Sequence, residues 1–210
     1  MKSTKSRNFE KELPAGYRQA LYINAKSARF GIVFNLIALA VGAVIMVLAI
    51  LLLRLKGATL LSVFEESSSQ FWIGYIVLLA SMFAYIVLHE LVHGIAYKTL
   101  TGERLTFGVS WSCAFCGVPH IFTYHKTAII ATVSPLVVFT LIFIPILILT
   151  YIFSPLYFLI TALVSAVHFG GCSGDIYVLY LLGIRFKDRR TLVRDTGPEQ
   201  FFYVPNEKPV

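Results

Sequence analysis

Two histidines four residues apart, with a glutamate beside the first, stand inside a long apolar run: His89-Glu90-Leu91-Val92-His93. On a helix of about 3.6 residues per turn, His89 and His93 fall one turn apart on one face, so two ring nitrogens can converge on a single ion. Glu90 projects about 100° round from His89, off the ligand face; beside a bound Zn²⁺ it can take a proton from water and hand it to a leaving amine. This spacing predicts metal-assisted hydrolysis. An ionisable side chain at membrane depth costs about 2.5–3.5 kcal/mol on insertion scales, so Glu90 in an apolar helix needs a functional reason to be there.

The elements that must position these groups follow from composition. Of the 210 residues 57% are hydrophobic and 14% charged, with mean hydropathy +0.75, which marks an integral membrane protein. Four apolar runs are long enough to span a bilayer: Gly31 to Leu53, Phe71 to Tyr97, Thr127 to Ile152 with Pro135 and Pro145 as kink sites, and Leu156 to Leu182. The fold expected is an all-α polytopic membrane protein of four transmembrane helices, with a short strand-like interfacial segment between spans two and three. That segment is the run 104–112, where Leu105, Phe107, Val109 and Trp111 alternate with smaller or polar residues. Three regions are expected: a basic arm 1–30, a four-span metalloprotease-like domain 31–182 and a basic tail 183–210. Lys and Arg number 7 before the first span, 2 and 3 in the next two connections, and 6 after the last. Both termini are therefore expected in the cytoplasm of a multi-pass cell-membrane protein, with Leu55 to Gln70 as an external loop. The net charge of +7 is explained by these topology signals, which argues against nucleic-acid binding. Three cysteines are too few for a disulfide framework.

A catalytic zinc usually takes three protein ligands and a water. The second and fourth spans run in the same direction, so depth separates the candidates for the third ligand. At about 1.5 Å per residue, His89 and His93 lie roughly 13 and 8 Å before Lys98, and Asp175 roughly 12 Å before Gly183. His168 would lie roughly 22 Å from that same end, about two turns deeper, and is the weaker candidate. Asp175 is the only acidic residue of the fourth span, and Gly170, Gly171 and Gly174 around it can unwind the helix into irregular, cavity-lining backbone. A second constellation, Cys113, Cys116, His120 and His125, has zinc-ligand types but too short a separation between its Cys and His pairs for a zinc finger.

With the His89-Glu90-x-x-His93-Gly94 motif, the Cys116-to-Pro135 stretch, Ser173-Gly174-Asp175, Leu13-Pro14-Ala15-Gly16-Tyr17 and Arg194-Asp195-Thr196-Gly197, most of the chain resembles the bacterial zincin-peptidase family of small membrane proteins. It is similar, more distantly, to the site-2 proteases. The resemblance implies Zn²⁺ held by His89, His93 and Asp175, Glu90 as general base, and hydrolysis of peptide bonds within or next to the bilayer. Asp175 is preceded by Gly174 and followed by Ile176, so the Asn of the site-2 Asn-Pro-Asp-Gly sequence has no counterpart.

The expected activity is a zinc-dependent intramembrane or membrane-proximal peptidase acting on membrane proteins or peptides near the cytoplasmic leaflet. An opened substrate would be held by strand addition along 104–112. The alternative is a non-proteolytic membrane protein that binds or transports metal through the same His/His/Asp site. Substrate identity and oligomeric state are not encoded in any motif.

Overall fold

The computed structural model describes residues 8–64, 68–111 and 113–206. Part of the expected external loop (Glu65, Glu66, Ser67), the first seven residues, Ser112 of the alternating run and the last four residues lie outside them. In chain order the elements are β1 (Phe9–Glu10), β2 (Tyr17–Asn24), α1 (Ala28–Leu55), α2 (Leu60–Phe64), α3 (Ser68–Thr101), β3 (Thr106–Val109), β4 (Ala114–Gly117), β5 (Phe122–Tyr124), α4 (His125–Phe153), α5 (Pro155–Gly171), α6 (Ser173–Tyr180), a π-helical turn (Leu181–Arg185), β6 (Leu192–Asp195) and β7 (Glu199–Pro205).

Four helical stretches are long and apolar enough to cross a membrane: Ala28–Leu55, Ser69–Thr101, His125–Phe153 and Pro155–Arg185. The chain is a membrane protein. Its helix ends are set locally. Gly102, at φ +72°, closes α3 by donating its N–H to the Lys98 carbonyl at 2.8 Å, a left-handed cap that costs glycine little. Ser154 caps α5 by accepting from the Tyr157 N–H, with Pro155 in the first turn, where no amide hydrogen is needed.

The chain is not all-α, and this corrects the expected fold class. A five-stranded antiparallel sheet runs in the order β1-β5-β6-β7-β2, and β3 and β4 form a separate hairpin. The reason lies in the two ends of the sequence. Tyr17-Arg-Gln-Ala-Leu-Tyr-Ile-Asn24 and Glu199-Gln-Phe-Phe-Tyr-Val-Pro205 carry basic and polar residues, but both are rich in aromatic and branched side chains that suit strands. They pair antiparallel from Tyr17 opposite Pro205 to Asn24 opposite Glu199.

The described residues divide into two compact units, the first drawn from 8–32, 90–135 and 175–206 and the second from 33–89 and 136–174. In the first, Ile23, Val193 and Phe202 of the sheet pack on Ala128, Val178, Leu181, Leu182 and Phe186. Full burial of a side chain such as Phe202 contributes about 1.5–3 kcal/mol. A second cluster joins Tyr97, Val118, Ile121 and Ala131. Gly117 of β4 lies so close to the turn after β6 that a Cβ there would stand 2.2 Å from the Gly197 nitrogen. The second unit is helical, with Ala49, Leu53, Val63, Phe158, Leu159 and Ala162 at its core. Leu39, Phe83 and Leu141 remain exposed on its surface, as lipid-facing residues do.

Candidate metal centre

Helix α3 carries the first part of the site as a stripe. Tyr85, His89, His93 and Tyr97 recur every four residues and all are buried, whereas Leu88, Leu91 and Ile95 between them are exposed. Four-residue spacing keeps successive side chains on one helix face, so this stripe is where α3 turns polar atoms inward. Along the uninterrupted helix, one ring nitrogen of His89 falls within 4.8 Å of one of His93. Glu90 is partly buried and one residue off the stripe.

In the first unit, His93 Nε2 lies 3.4 Å from Asp175 Oδ1. That is long for a charge-assisted hydrogen bond, which prefers about 2.7–2.9 Å. It equals the edge of a tetrahedron, about 3.4 Å, spanned by a nitrogen and an oxygen each about 2.1 Å from a zinc ion. Asp175 reaches this position because the fourth span is broken: α5 ends at Gly171, Cys172 lies between, and α6 begins at Ser173 with Asp175 in its first turn.

The other ring nitrogen of each histidine is already engaged. His93 Nδ1 lies 2.9 Å from the Ala131 carbonyl oxygen, and His89 Nδ1 lies 3.0 Å from the Tyr85 hydroxyl. A carbonyl only accepts, so His93 carries a proton on Nδ1, and in the neutral ring the lone pair then stands on Nε2. Histidine ligands commonly have this outer partner. The Ala131 carbonyl is available because the residue four positions on is Pro135, which has no amide hydrogen to return to it. Two imidazoles presented through Nε2 and a carboxylate suit a borderline-soft divalent ion such as zinc. The donor set fits.

In the second unit His168 is fully buried and bonded at both nitrogens: Nδ1 to the Tyr85 hydroxyl at 3.1 Å, Nε2 to Thr140 Oγ1 at 3.4 Å. Cys172 Sγ lies 3.6 Å from the same Nδ1. His89, His168 and Cys172 form a further group whose ligand atoms lie within 4.8 Å of one another. Among the described residues, no group with metal-holding geometry contains Cys113, Cys116, His120 or His125. Burial and the carboxylates of Asp195 and Glu90 push the Cys116 thiol up to about 12, so it stays protonated and a poor ligand. His120 is exposed in a turn, and His125 Nε2 bonds the Leu182 carbonyl at 3.0 Å.

Sequence reasoning missed Tyr85, Tyr97, the Ala131 carbonyl and Asp195. Tyr97 donates to Asp195 Oδ2 at 2.7 Å, and Asp195 also accepts from the Gly197 N–H at 2.8 Å, which ties β6 to the histidine helix. The four-residue recurrence along α3 was the signal for both tyrosines; Asp195 stands in the Arg194-Asp195-Thr196-Gly197 stretch of the resemblance, which gave it no role.

A protein-family model described as Putative zincin peptidase matches residues 82–189, a stretch that contains His89, Glu90, His93, His168 and Asp175. Neither the comparison with curated proteins nor that with solved structures finds a match.

Proposed function

Because the chain belongs to the Putative zincin peptidase family, we propose that it is a zinc metallopeptidase that hydrolyses peptide bonds of membrane proteins or membrane-bound peptides, within or beside the bilayer. The observation that supports this best is the 3.4 Å approach of His93 Nε2 to Asp175 Oδ1, with His89 one turn along the same helix. In this reading His89, His93 and Asp175 hold Zn²⁺. When bound, the ion would supply Lewis acidity and make water acidic enough to ionise near neutral pH.

The chain's own residues do the rest. Glu90, off the ligand stripe, takes the proton released as water adds to the carbonyl and delivers it to the departing amine. The histidine outer partners, Ala131 and Tyr85, keep both rings in the ligating orientation. Burial of the stripe excludes bulk water from the reacting groups.

The hairpin supplies a place for substrate. Ser110 donates its N–H to the Cys113 carbonyl at 2.8 Å, so Ser110 and, by the alternation of an antiparallel ladder, Gly108 face β4. Phe107 and Val109 then turn their backbone N–H groups toward the other edge, which no described strand occupies. Phe107 lies against Gly94, the residue after His93, where a Cβ would stand 2.7 Å from its ring. An extended peptide added to this edge would run beside the histidine helix.

By the distribution of Lys and Arg, both termini lie in the cytoplasm and the site faces the inner leaflet of the cell membrane. The test is Glu90→Gln. It should keep its zinc while hydrolysis of a model membrane peptide falls about 10²–10⁴-fold. A Glu90→Gln protein that still performs its cellular task would favour metal binding or transport without proteolysis.

A further inference from the structure

We propose that Tyr85 and His168 are positioning residues: a directed hydrogen-bond relay through them fixes the tautomer in which His89 offers Nε2 to the metal. The inference rests on the zinc reading above and deepens it. All of its groups lie in the helical unit.

A buried imidazole inside a membrane helix is costly unless its polar atoms are satisfied, and His168 has partners at both ring nitrogens. Its surroundings are otherwise aromatic: ring centroids of Phe139, Phe143 and Phe169 lie 5.8, 5.5 and 4.8 Å from its own. The Tyr85 hydroxyl stands between two Nδ1 atoms, 3.0 Å from that of His89 and 3.1 Å from that of His168. A phenol has one proton, so it donates to one ring and accepts from the other.

The two directions differ in consequence. If Tyr85 donated to His89 Nδ1, the neutral His89 ring would carry its proton on Nε2 and have no lone pair there for an ion. If Tyr85 donates to His168 Nδ1, its oxygen accepts the His89 Nδ1–H and Nε2 of His89 keeps its lone pair. His168 then carries its proton on Nε2, where Thr140 Oγ1 accepts it at 3.4 Å. The relay therefore runs from His89 to Tyr85 to His168 to Thr140, each donating to the next. The Cys172 thiol, 3.6 Å from His168 Nδ1, is a second and weaker donor in the same direction.

A rival use of the same side chains is a metal held directly by His89, His168 and Cys172. Zinc affinity separates the two, measured on the full chain in detergent by competition with a chromogenic chelator, together with ¹⁵N imidazole shifts of the zinc-loaded protein. Tyr85→Phe and His168→Phe should each weaken zinc binding about 10–100-fold, the usual effect of removing an outer partner, with one zinc per chain still reached at saturation. Cys172→Ala should bind as wild type does. In the loaded wild type His89 should be protonated on Nδ1 and His168 on Nε2, and Tyr85→Phe should lose the single His168 tautomer. Should His168→Phe not fold, Tyr85→Phe and the spectra carry the test.

Wild-type affinity in Tyr85→Phe, or a His168 protonated on Nδ1 in the loaded protein, would overturn the relay alone. Loss of stoichiometric zinc in both His168→Phe and Cys172→Ala would make those residues ligands and overturn it as well. A wild type that binds no zinc would remove the metal reading, and this inference with it.

Discussion

The Nδ1 atom of His93 lies 2.9 Å from the carbonyl oxygen of Ala131, on a different helix. Within α4 that oxygen would normally accept the amide hydrogen of residue 135, and residue 135 is proline. A proline inside a membrane helix thus has a specific outcome here. It leaves a carbonyl for an imidazole, which then presents its other nitrogen toward Asp175.

Restoring the amide should reverse this. Pro135→Ala is expected to stabilise α4, since proline costs about 3 kcal/mol in a helix interior, while weakening zinc binding up to about tenfold. Opposite signs in thermal denaturation and zinc affinity are the signature. Unchanged affinity would show that the ring does not depend on the missing amide.

Asp195 should make stability depend on pH. Burial pushes its carboxyl up to about 6, against the lowering effect of the hydrogen bonds from Tyr97 and the Gly197 N–H. Its folded value thus lies above the unfolded one, near 3.8. The group then stabilises the fold fully below about pH 4, and that contribution is lost as pH rises through about 6, on the order of 3 kcal/mol for about two units. Melting temperature followed across pH 4–6 should fall more steeply in wild type than in Asp195→Asn; equal slopes would contradict the assignment.

Gly117→Ala should be the most damaging small substitution in the sheet unit. Its new methyl would meet the Gly197 nitrogen at 2.2 Å and the Thr196 carbonyl carbon at 2.5 Å, backbone atoms that cannot swing aside. A loss of at least about 1–3 kcal/mol is expected, against a near-neutral Gly183→Ala, whose added carbon meets nothing within 4 Å. Parallel melting curves of the two variants check this.

Val109→Pro tests the hairpin as a substrate edge. It removes an N–H facing away from β4 from a residue that is 82% exposed, so the hairpin and the zinc content should survive. Cleavage of a model membrane peptide should fall up to about tenfold, the effect of one lost backbone hydrogen bond. Unaffected turnover would remove strand addition from the account.

The parts legible in sequence were those encoded by local period. Four apolar runs and the His89–His93 spacing need only neighbouring residues to be recognised. The sheet was hidden because its partners lie far apart, as with Tyr17 opposite Pro205, and because the basic residues of the two end segments read as topology signals. Counting depth at a constant rise placed His168 about two turns deeper than Asp175 and made it the weaker candidate for third ligand. Gly170, Gly171 and Gly174 signal the break in the fourth span, which falls at Cys172, but a count of depth cannot foresee that Tyr85 joins His168 to His89. Asp195 sits in a polar tail whose burial only the folded sheet creates.

The most direct measurement is the zinc content of the purified full-length protein beside Asp175→Ala and His168→Ala. The account predicts one zinc per chain in the wild type, loss of it in Asp175→Ala, and retention at saturating zinc in His168→Ala. Full zinc in Asp175→Ala together with its loss in His168→Ala would contradict it.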